Sequence, residues 1–339
     1  MIRDEEHELL ENCMITDQHQ RVHDYLRLSL TDSCNFRCTY CMPEENISCM
    51  PNAHLMQPDE IEQIARTFVK LGVKKIRLTG GEPLVRKEAP QIIGQLGKLP
   101  VELSITTNGV LVDRFLPVFK KAGIRSLNLS IDTLQRDKFK KITRRDRLEK
   151  VWENILLLVE EGIHVKLNVV LMKGVNDEEV MDFIQLTREL PLYVRFIEFM
   201  PFDGNRWENE NVITARQVLD RVEQEVSFIK LKDEKHATAK KFKLLDAVGT
   251  FAFITTMSEP FCGDCNRMRL TADGKMKNCL FSRDEADILG TLRRGEDIVP
   301  VIKMCMWNKH AKMGGQFSET YEKTDGASID NRSMIKIGG

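Results

Sequence analysis

Six short stretches constrain this chain more than any other feature: YLRLSLT, KKIRLTG, VELSITT, RSLNLSID, HVKLNVVL and YVRFIEFM, each apolar on one side and polar on the other. In the first, Leu26, Leu28 and Leu30 alternate with Arg27, Ser29 and Thr31, the period of two that marks a strand with unlike faces. Ile76 and Leu78 alternate in the same way with Lys75, Arg77 and Thr79, and Val165, Leu167 and Val169 with His164, Lys166 and Asn168. Between the stretches lie amphipathic segments such as DEIEQIARTFVKLG, where Ile61, Ile64, Ala65, Phe68 and Leu71 share one helical face. Gly72, Gly123 and Gly162 each stand where a helix ends and the next strand begins, a place that favours a left-handed residue. Such a βα repeat implies a mostly parallel sheet with helical crossovers.

The polar faces narrow the choice further. A parallel sheet covered on both sides is apolar on both, and a closed barrel fills its lumen with branched aliphatic side chains. An antiparallel sheet with one wet side fits the alternation but not the helices between the strands. A βα barrel or open barrel around a polar chamber fits both. Arg27, Lys75, Arg77, Lys166 and Arg195 give that chamber a cationic wall suited to a large anion. The repeat occupies residues 21–225, residues 1–20 read as an N-terminal extension, and residues 226–339 read as a C-terminal region packed on the barrel.

Charge excludes other classes of partner. With 50 basic and 51 acidic residues the net charge is −1, which gives no pull towards nucleic acid or an anionic membrane. The start, MIRDEEHELLENC, has neither an apolar core nor a basic flank, and NILLLVEEG is too short to span a bilayer. The expected location is the cytoplasm.

In that reducing setting clustered thiols read as ligands or catalytic groups rather than disulfides, and six of the nine cysteines fall into two clusters. Cys34, Cys38 and Cys41 follow the first strand, on a rim loop where βα barrels keep their active sites. Cys262, Cys265 and Cys279 form a second set, again with no evident fourth member. Cys13, Cys49 and Cys305 stand alone and read as small apolar residues. A structural zinc site wants four ligands, with Cys49 the conceivable fourth for the first set and His236 or His310 for the second. A four-iron cluster held by only three thiolates instead keeps one iron open for a small molecule. Spacing leaves both readings open. Arg267 and Arg269, two apart on a strand beside the second set, face one way and favour an anionic ligand there.

CNFRCTYCM, with an aromatic residue before its last cysteine, and TGGEP at Thr79 to Pro83 resemble the radical S-adenosylmethionine (SAM) superfamily. LRLSLTDSCNFRCTYCMPEE, RLTGGEPLVR, TTNG, NLSID, VKLNVVLMKGVND, RFIEFMPFDGN, FCGDCNRMRLTADGKMKNCLF and SMIKIGG occur in order from about residue 20 to the last residue. Together they resemble the GTP 3′,8-cyclase family, also called the molybdenum-cofactor biosynthesis protein A family.

The resemblance implies an α/β fold, an incomplete (βα) TIM-like barrel of the radical SAM type. Its C-terminal region would carry a second iron–sulfur cluster packed on the barrel mouth. Two 4Fe-4S clusters are implied. One would sit on Cys34, Cys38 and Cys41 with SAM on its open iron, and the other on Cys262, Cys265 and Cys279 with the guanine of GTP on its open iron. Tyr40, Gly81, Glu82, Ser130 and Met200 would surround SAM. Arg27, Arg77, Thr106, Lys166, Arg267, Met268 and Arg269 would hold GTP, while Arg267, Arg269, Gly338 and Gly339 would support catalysis.

The implied activity is that of a lyase: a 5′-deoxyadenosyl radical takes the ribose 3′ hydrogen of GTP. The product is (8S)-3′,8-cyclo-7,8-dihydroguanosine 5′-triphosphate, in the first step of molybdenum-cofactor biosynthesis. The implied partners are a flavodoxin- or ferredoxin-type electron donor and cyclic pyranopterin monophosphate synthase, with no nucleic acid and no membrane, for a monomer or homodimer. A radical SAM enzyme acting on a peptide or RNA through an auxiliary cluster is the alternative, and a zinc-dependent binding protein is a second. Two departures stand out: Gln20 where the family usually has glycine, and Ser33 where arginine is common. Neither is a ligand position, so both read as variation. The first twelve residues match nothing in the family.

Overall fold

The computed structural model describes residues 14–42, 49–317 and 320–338. Cys13, Gly339 and most of the N-terminal extension lie outside the described residues.

All six alternating stretches form strands: β1 (Tyr25–Ser29), β2 (Lys75–Thr79), β3 (Glu102–Thr107), β4 (Ser126–Ser130), β5 (His164–Leu171) and β6 (Tyr193–Glu198). The segments between them form α1 (Pro58–Lys70), α2 (Ala89–Leu96), α3 (Val112–Lys121), α4 (Arg136–Thr143), α5 (Leu148–Glu160) and α6 (Val180–Glu189). The first helix shows why. Pro58 supplies a pre-set φ in the first turn, the Glu60 carboxylate accepts the Gln57 N–H at 2.6 Å, and Ile61, Ile64, Ala65 and Phe68 make one fully buried stripe. Gly72, Gly123 and Gly162 close their helices at φ 90°, 71° and 69°, as their positions predict.

After α7 (Ala215–Glu225) come β7 (Phe228–Lys230), β8 (Lys240–Leu244), β9 (Thr250–Ile254), β10 (Arg267–Leu270), β11 (Lys275–Lys277), β12 (Ala286–Asp287), α8 (Ile288–Arg293), α9 (Val299–Trp307) and α10 (Met334–Ile337). These strands join the sheet of the barrel itself. The order is β12-β11-β10-β1-β2-β3-β4-β5-β6-β9-β8-β7. The run from β10 to β9 is parallel throughout, and antiparallel pairs extend it at both edges. The two outer strands do not pair with each other, so the barrel is open.

Leu26, Leu28, Ile76, Leu78, Leu127, Leu129, Val165 and Leu167 are fully buried in one core with the inward stripes of the helices. The polar faces therefore turn to the lumen. Among the described residues no helix is long and apolar enough to cross a membrane.

Gln20 holds a left-handed φ of 61° in a turn closed by its own N–H to the Asp17 carbonyl at 3.0 Å. The sequence reads Gln20 as simple variation, but its backbone conformation is one that glycine adopts at no steric cost.

Candidate functional site

The lumen is a cavity of about 580 Å³. Its two ends are set by strand direction. Cys34, Cys38 and Cys41 follow β1 and so stand at the C-terminal rim of the parallel strands. Strand β10 runs parallel to β1 with Arg267 opposite Tyr25, so Cys262 and Cys265, which precede β10, stand at the other rim. Strand β11 turns back antiparallel and returns Cys279 to that same rim. All six thiols line one chamber, with the length of β1, roughly 16 Å, between the two sets.

The first set sits in a loop pinned from several sides. Thr39 N–H donates to Ile142 O at 2.9 Å and Arg37 N–H to Thr143 O at 3.0 Å, so the open C-terminal carbonyls of α4 hold the loop on both sides of Cys38. The TGGEP turn closes on it from β2: Gly81 N–H donates to Thr31 O at 2.7 Å and Glu82 N–H to Ser33 O at 2.8 Å. A Cβ on Gly81 would lie 2.4 Å from Ser33 O, and one on Gly80 2.6 Å from Thr31 O. The glycine pair is thus required by the close passage of two backbones.

Of the residues assigned to SAM, Tyr40, Gly81, Ser130 and Met200 line the chamber. Glu82 does not. Its carboxylate turns away and accepts from Leu84 N–H (3.1 Å), the Thr107 hydroxyl (2.8 Å) and Asn108 N–H (2.6 Å), which ties the β2 turn to the end of β3. Burial still pushes it up to about 7. Tyr40 donates its hydroxyl to Asp132 at 2.8 Å, and Asp132 also accepts Val170 N–H at 2.9 Å. Burial lifts the Asp132 carboxyl to about 6.

Between the two cysteine sets runs the cationic wall. Arg269, Arg27, Arg77 and Ser104 occupy one row of the register across β10, β1, β2 and β3. Neighbouring strands lie about 4.8 Å apart, so three guanidinium stems stand side by side. Burial and then Arg269 depress the Arg27 guanidinium far below its usual range. Burial and then Arg267 bring Arg269 to about 10, and burial and then Arg77 do the same to Arg195. Burial and then Arg195 lower Lys166 to about 8. Lys75 has a carboxylate, Glu102, at 2.5 Å. Asn128, with its amide oxygen turned to them, accepts from Arg195 at 2.8 Å and Arg77 at 2.5 Å. A wall of cations held in mutual repulsion and low dielectric gains most from a polyanion.

Arg27, Arg77, Thr106, Lys166, Arg267 and Arg269 all line the chamber, whereas Met268 faces the opposite way, fully buried in the outer core. The period of two forces this correction: on a strand, a residue between two inward arginines points outward. Gly338, at φ 86°, offers its carbonyl to Arg269 Nη1 at 2.9 Å. A Cβ there would lie 2.6 Å from Ser29 Cβ, so the tail passes against the ends of β1 and β2. Gly339 lies outside the described residues.

The second set has its own donors. Met313 N–H points at Cys262 Sγ (3.4 Å), and Lys309 Nζ lies 3.6 Å from Cys265 Sγ and 3.0 Å from Arg267 O. Arg21 clamps the surrounding loops through the carbonyls of Cys262 (2.7 Å), Ala311 (2.9 Å) and His310 (2.9 Å). His236 turns its Nδ1 to Asp264 O at 2.8 Å rather than towards a thiol. Cys49 is exposed and outside the chamber lining, and Cys305 lies behind β11, its thiol pushed up to about 12 by burial.

The donor chemistry fits thiolate-bound clusters. Burial, followed by Glu82, holds the Cys34 thiol up to about 12, and burial also raises Cys38 and Cys41, so these sulfurs shed their protons only to a bound cation. Phe36 N–H (3.4 Å) and Asn108 Nδ2 (3.9 Å) point at Cys34 Sγ, as Met313 and Lys309 do in the second set. Hydrogen bonds to sulfur of this kind stabilise cluster thiolates. Among the described residues no three His, Cys, Asp or Glu side chains converge to hold a single metal ion. A cluster asks for less convergence, since each thiolate binds its own iron.

Comparison with known proteins agrees with this geometry. Residues 28–187 match the model of the Radical SAM superfamily, and residues 192–314 match the Molybdenum Cofactor Synthesis C family. The chain is 44% identical over 98% of its length to human molybdenum cofactor biosynthesis protein 1, and spans about half (52%) of that longer protein. It is 44% identical to the mitochondrial GTP 3′,8-cyclase of Arabidopsis thaliana over 96% of this chain and 84% of that one. To the GTP 3′,8-cyclase of Syntrophomonas wolfei it is 38% identical over 95% of this chain and 99% of that one. Among solved structures, Streptococcus suis SuiB bound to S-adenosylmethionine shares the fold, with a TM-score of 0.61, 14% identity, and coverage of 94% of this chain and 75% of that one.

Proposed function

The chain belongs to the GTP 3′,8-cyclase family of the radical SAM superfamily, and from that premise we propose that it converts GTP to (8S)-3′,8-cyclo-7,8-dihydroguanosine 5′-triphosphate, the first step of molybdenum-cofactor biosynthesis. The observation that carries the reading is the single chamber with a three-cysteine set at each rim and a cationic wall between them. Cys34, Cys38 and Cys41 would hold a cluster that, with SAM, would supply the radical chemistry for hydrogen abstraction from the ribose 3′ carbon, and Cys262, Cys265 and Cys279 would hold a cluster that would offer the guanine a binding site.

The side chains of this protein do the rest. Arg27, Arg77, Lys166, Arg195 and Arg269 neutralise the triphosphate, with Arg267 and Arg269 orienting the end of the nucleotide nearest the second set. Asn128 bridges Arg77 and Arg195 and holds their heads in place before substrate arrives. Tyr40 is locked by Asp132, and Glu82 fixes the turn that positions Gly81, so both act on the SAM side as positioning residues. Substrate seated in the lumen would itself shield a reactive carbon centre from water and stray hydrogen donors. A one-electron donor protein and cyclic pyranopterin monophosphate synthase, which consumes the product, are the partners of this reading, and the cytoplasm is its location.

Anaerobic incubation with GTP, SAM and dithionite tests it. 5′-Deoxyadenosine and loss of GTP are expected in step. Formation of 5′-deoxyadenosine without loss of GTP overturns the cyclase reading, and no 5′-deoxyadenosine overturns the radical SAM reading. Cys279→Ser is expected to spare SAM cleavage and abolish tight GTP binding.

A further inference from the structure

One side of α4 faces the chamber through Phe139 and Thr143, and its last two carbonyls hold the loop around Cys38. Its other side faces solvent. Residues 136–147 contain seven Arg or Lys and two Asp, a net charge of +5 in a chain whose total is −1. Arg136 is paired with Asp146 at 2.9 Å, and Lys138 with Glu178 at 2.7 Å and Glu179 at 2.8 Å. Lys140, Lys141, Arg145 and Arg147 are exposed, and among the described residues none has a carboxylate within ion-pair distance.

Helix chemistry explains part of this. Lysines in the last turn of α4 suit its negative end, which covers Lys140 and Lys141. Arg145 and Arg147 lie beyond the helix, so that account does not reach them. Nor does the patch serve the chamber's ligands: none of these four side chains lines the lumen. SAM, with a sulfonium and an ammonium against one carboxylate, is itself cationic and is repelled. What remains is a solvent-facing cationic surface one helix away from the first cysteine set. Its backbone joins that set through two hydrogen bonds, of 2.9 and 3.0 Å.

We propose that this face of α4 and the turn after it is the docking surface for an acidic protein that carries a one-electron reductant. The proposal rests on the radical SAM reading, because it needs an electron acceptor on Cys34, Cys38 and Cys41. In the step served, the donor is oxidised by one electron and the acceptor is reduced by one, with no bond made or broken and no proton moved. Charge complementarity orients the donor so that its cofactor faces the α4 carbonyls, and it makes the encounter fast and salt-dependent.

Reduced flavodoxin serves as the acidic probe, and dithionite as the small reductant that needs no docking. The test compares wild type with Lys140→Glu, Lys141→Glu, Arg145→Glu combined, and with the milder Lys140→Gln, Lys141→Gln, Arg145→Gln combined. At low ionic strength the reversed variant is expected to bind flavodoxin at least tenfold more weakly and to accept its electron at least tenfold more slowly. The neutral variant should fall between, and added salt should weaken wild type most. Dithionite-driven 5′-deoxyadenosine formation should match wild type in both. Equal flavodoxin affinity and rate in all three proteins overturns the proposal, as does a wild type that does not bind flavodoxin. A parallel loss with dithionite also overturns it, since the residues would then be structural. If dithionite yields no 5′-deoxyadenosine in wild type, the radical SAM reading itself fails and the proposal falls with it.

Discussion

Lys309 Nζ lies 3.6 Å from Cys265 Sγ, on a lysine only 2% exposed and with no carboxylate in ion-pair distance among the described residues. A buried ammonium needs an anion, and the nearest is the sulfur of a proposed cluster ligand. Burial raises the Cys265 thiol, but Lys309 and then Arg267 outweigh it and bring the thiol down to about 7. Lys309→Met keeps the stem and removes the charge. It is expected to lower iron retention at the second set by roughly 10- to 100-fold and to shift that cluster's midpoint potential negative, while the first set keeps its iron. Iron analysis and a redox titration followed by EPR check this, and an unshifted potential counts against the assignment.

The arginine row predicts a linkage between anion binding and stability. Inorganic tripolyphosphate at about 100 times its Kd should stabilise the wild-type fold by about 2.7 kcal/mol. Arg77→Ala removes one charge-assisted contact, so nucleotide affinity should fall by roughly 10- to 100-fold. The free protein should not lose stability, because one of three adjacent like charges is gone. Calorimetry and thermal unfolding read both effects. An Arg77→Ala protein stabilised by tripolyphosphate as strongly as wild type would sink the idea.

Gly81→Ala places a methyl group 2.4 Å from Ser33 O, so the TGGEP turn and the cysteine loop must separate. Loss of iron at the first set is expected with the second set intact. Gly94→Ala, on the open side of α2 with nothing within 4 Å, is the control, expected to be neutral or stabilising by up to about 1 kcal/mol. Site-resolved EPR distinguishes the two clusters.

Gln20→Gly should stabilise the fold by up to about 1 kcal/mol, since it removes a side chain from a φ of 61°. Denaturant midpoints measure it, and a lowered midpoint would mean that the Gln20 side chain holds the turn.

His23 makes stability depend on pH. Its Nε2 lies 2.9 Å from Asp17 Oδ2, while its Nδ1 is buried without a partner. Burial, and then the nearby Lys309 ammonium, push its pKa from 6.5 down to about 4. Between those values the unfolded chain binds a proton that the folded chain refuses, so this group costs stability as pH falls from 6.5 to about 4 and nothing more below. Glu82, raised to about 7, and Asp132, raised to about 6, act in the opposite sense, so the comparison must be with a variant. His23→Asn should lose less stability than wild type across that window in urea titrations, and identical slopes would refute the assignment.

Local periodicity carried the elements. Leucines at 26, 28 and 30 and the stripe from Ile61 to Phe68 place β1 and α1 by spacing alone, because each buries a face whose period is written in a few consecutive residues. The cysteine triplets are legible by their own spacing and the inward arginines by the strand period, which also turns Met268 outward against its assignment to GTP. Strand β9 was not, since TFAFI lacks alternation once it is covered on both faces. Nor was the role of Glu82, because the donors it meets come from the end of β3, across a strand pairing.

What tertiary structure decided is who lies beside whom. Residues 267–270 pair with β1 across some 240 residues of chain, and that one parallel pairing sends Cys262, Cys265 and Cys279 to the rim opposite Cys34, Cys38 and Cys41. It also sets Arg269 beside Arg27, and the packing of α9 on β11 and β12 brings Lys309, which has no local signal at all, to Cys265. Sequence specifies the faces of a strand, but its partner and register follow from which edge remains open once every apolar face is buried.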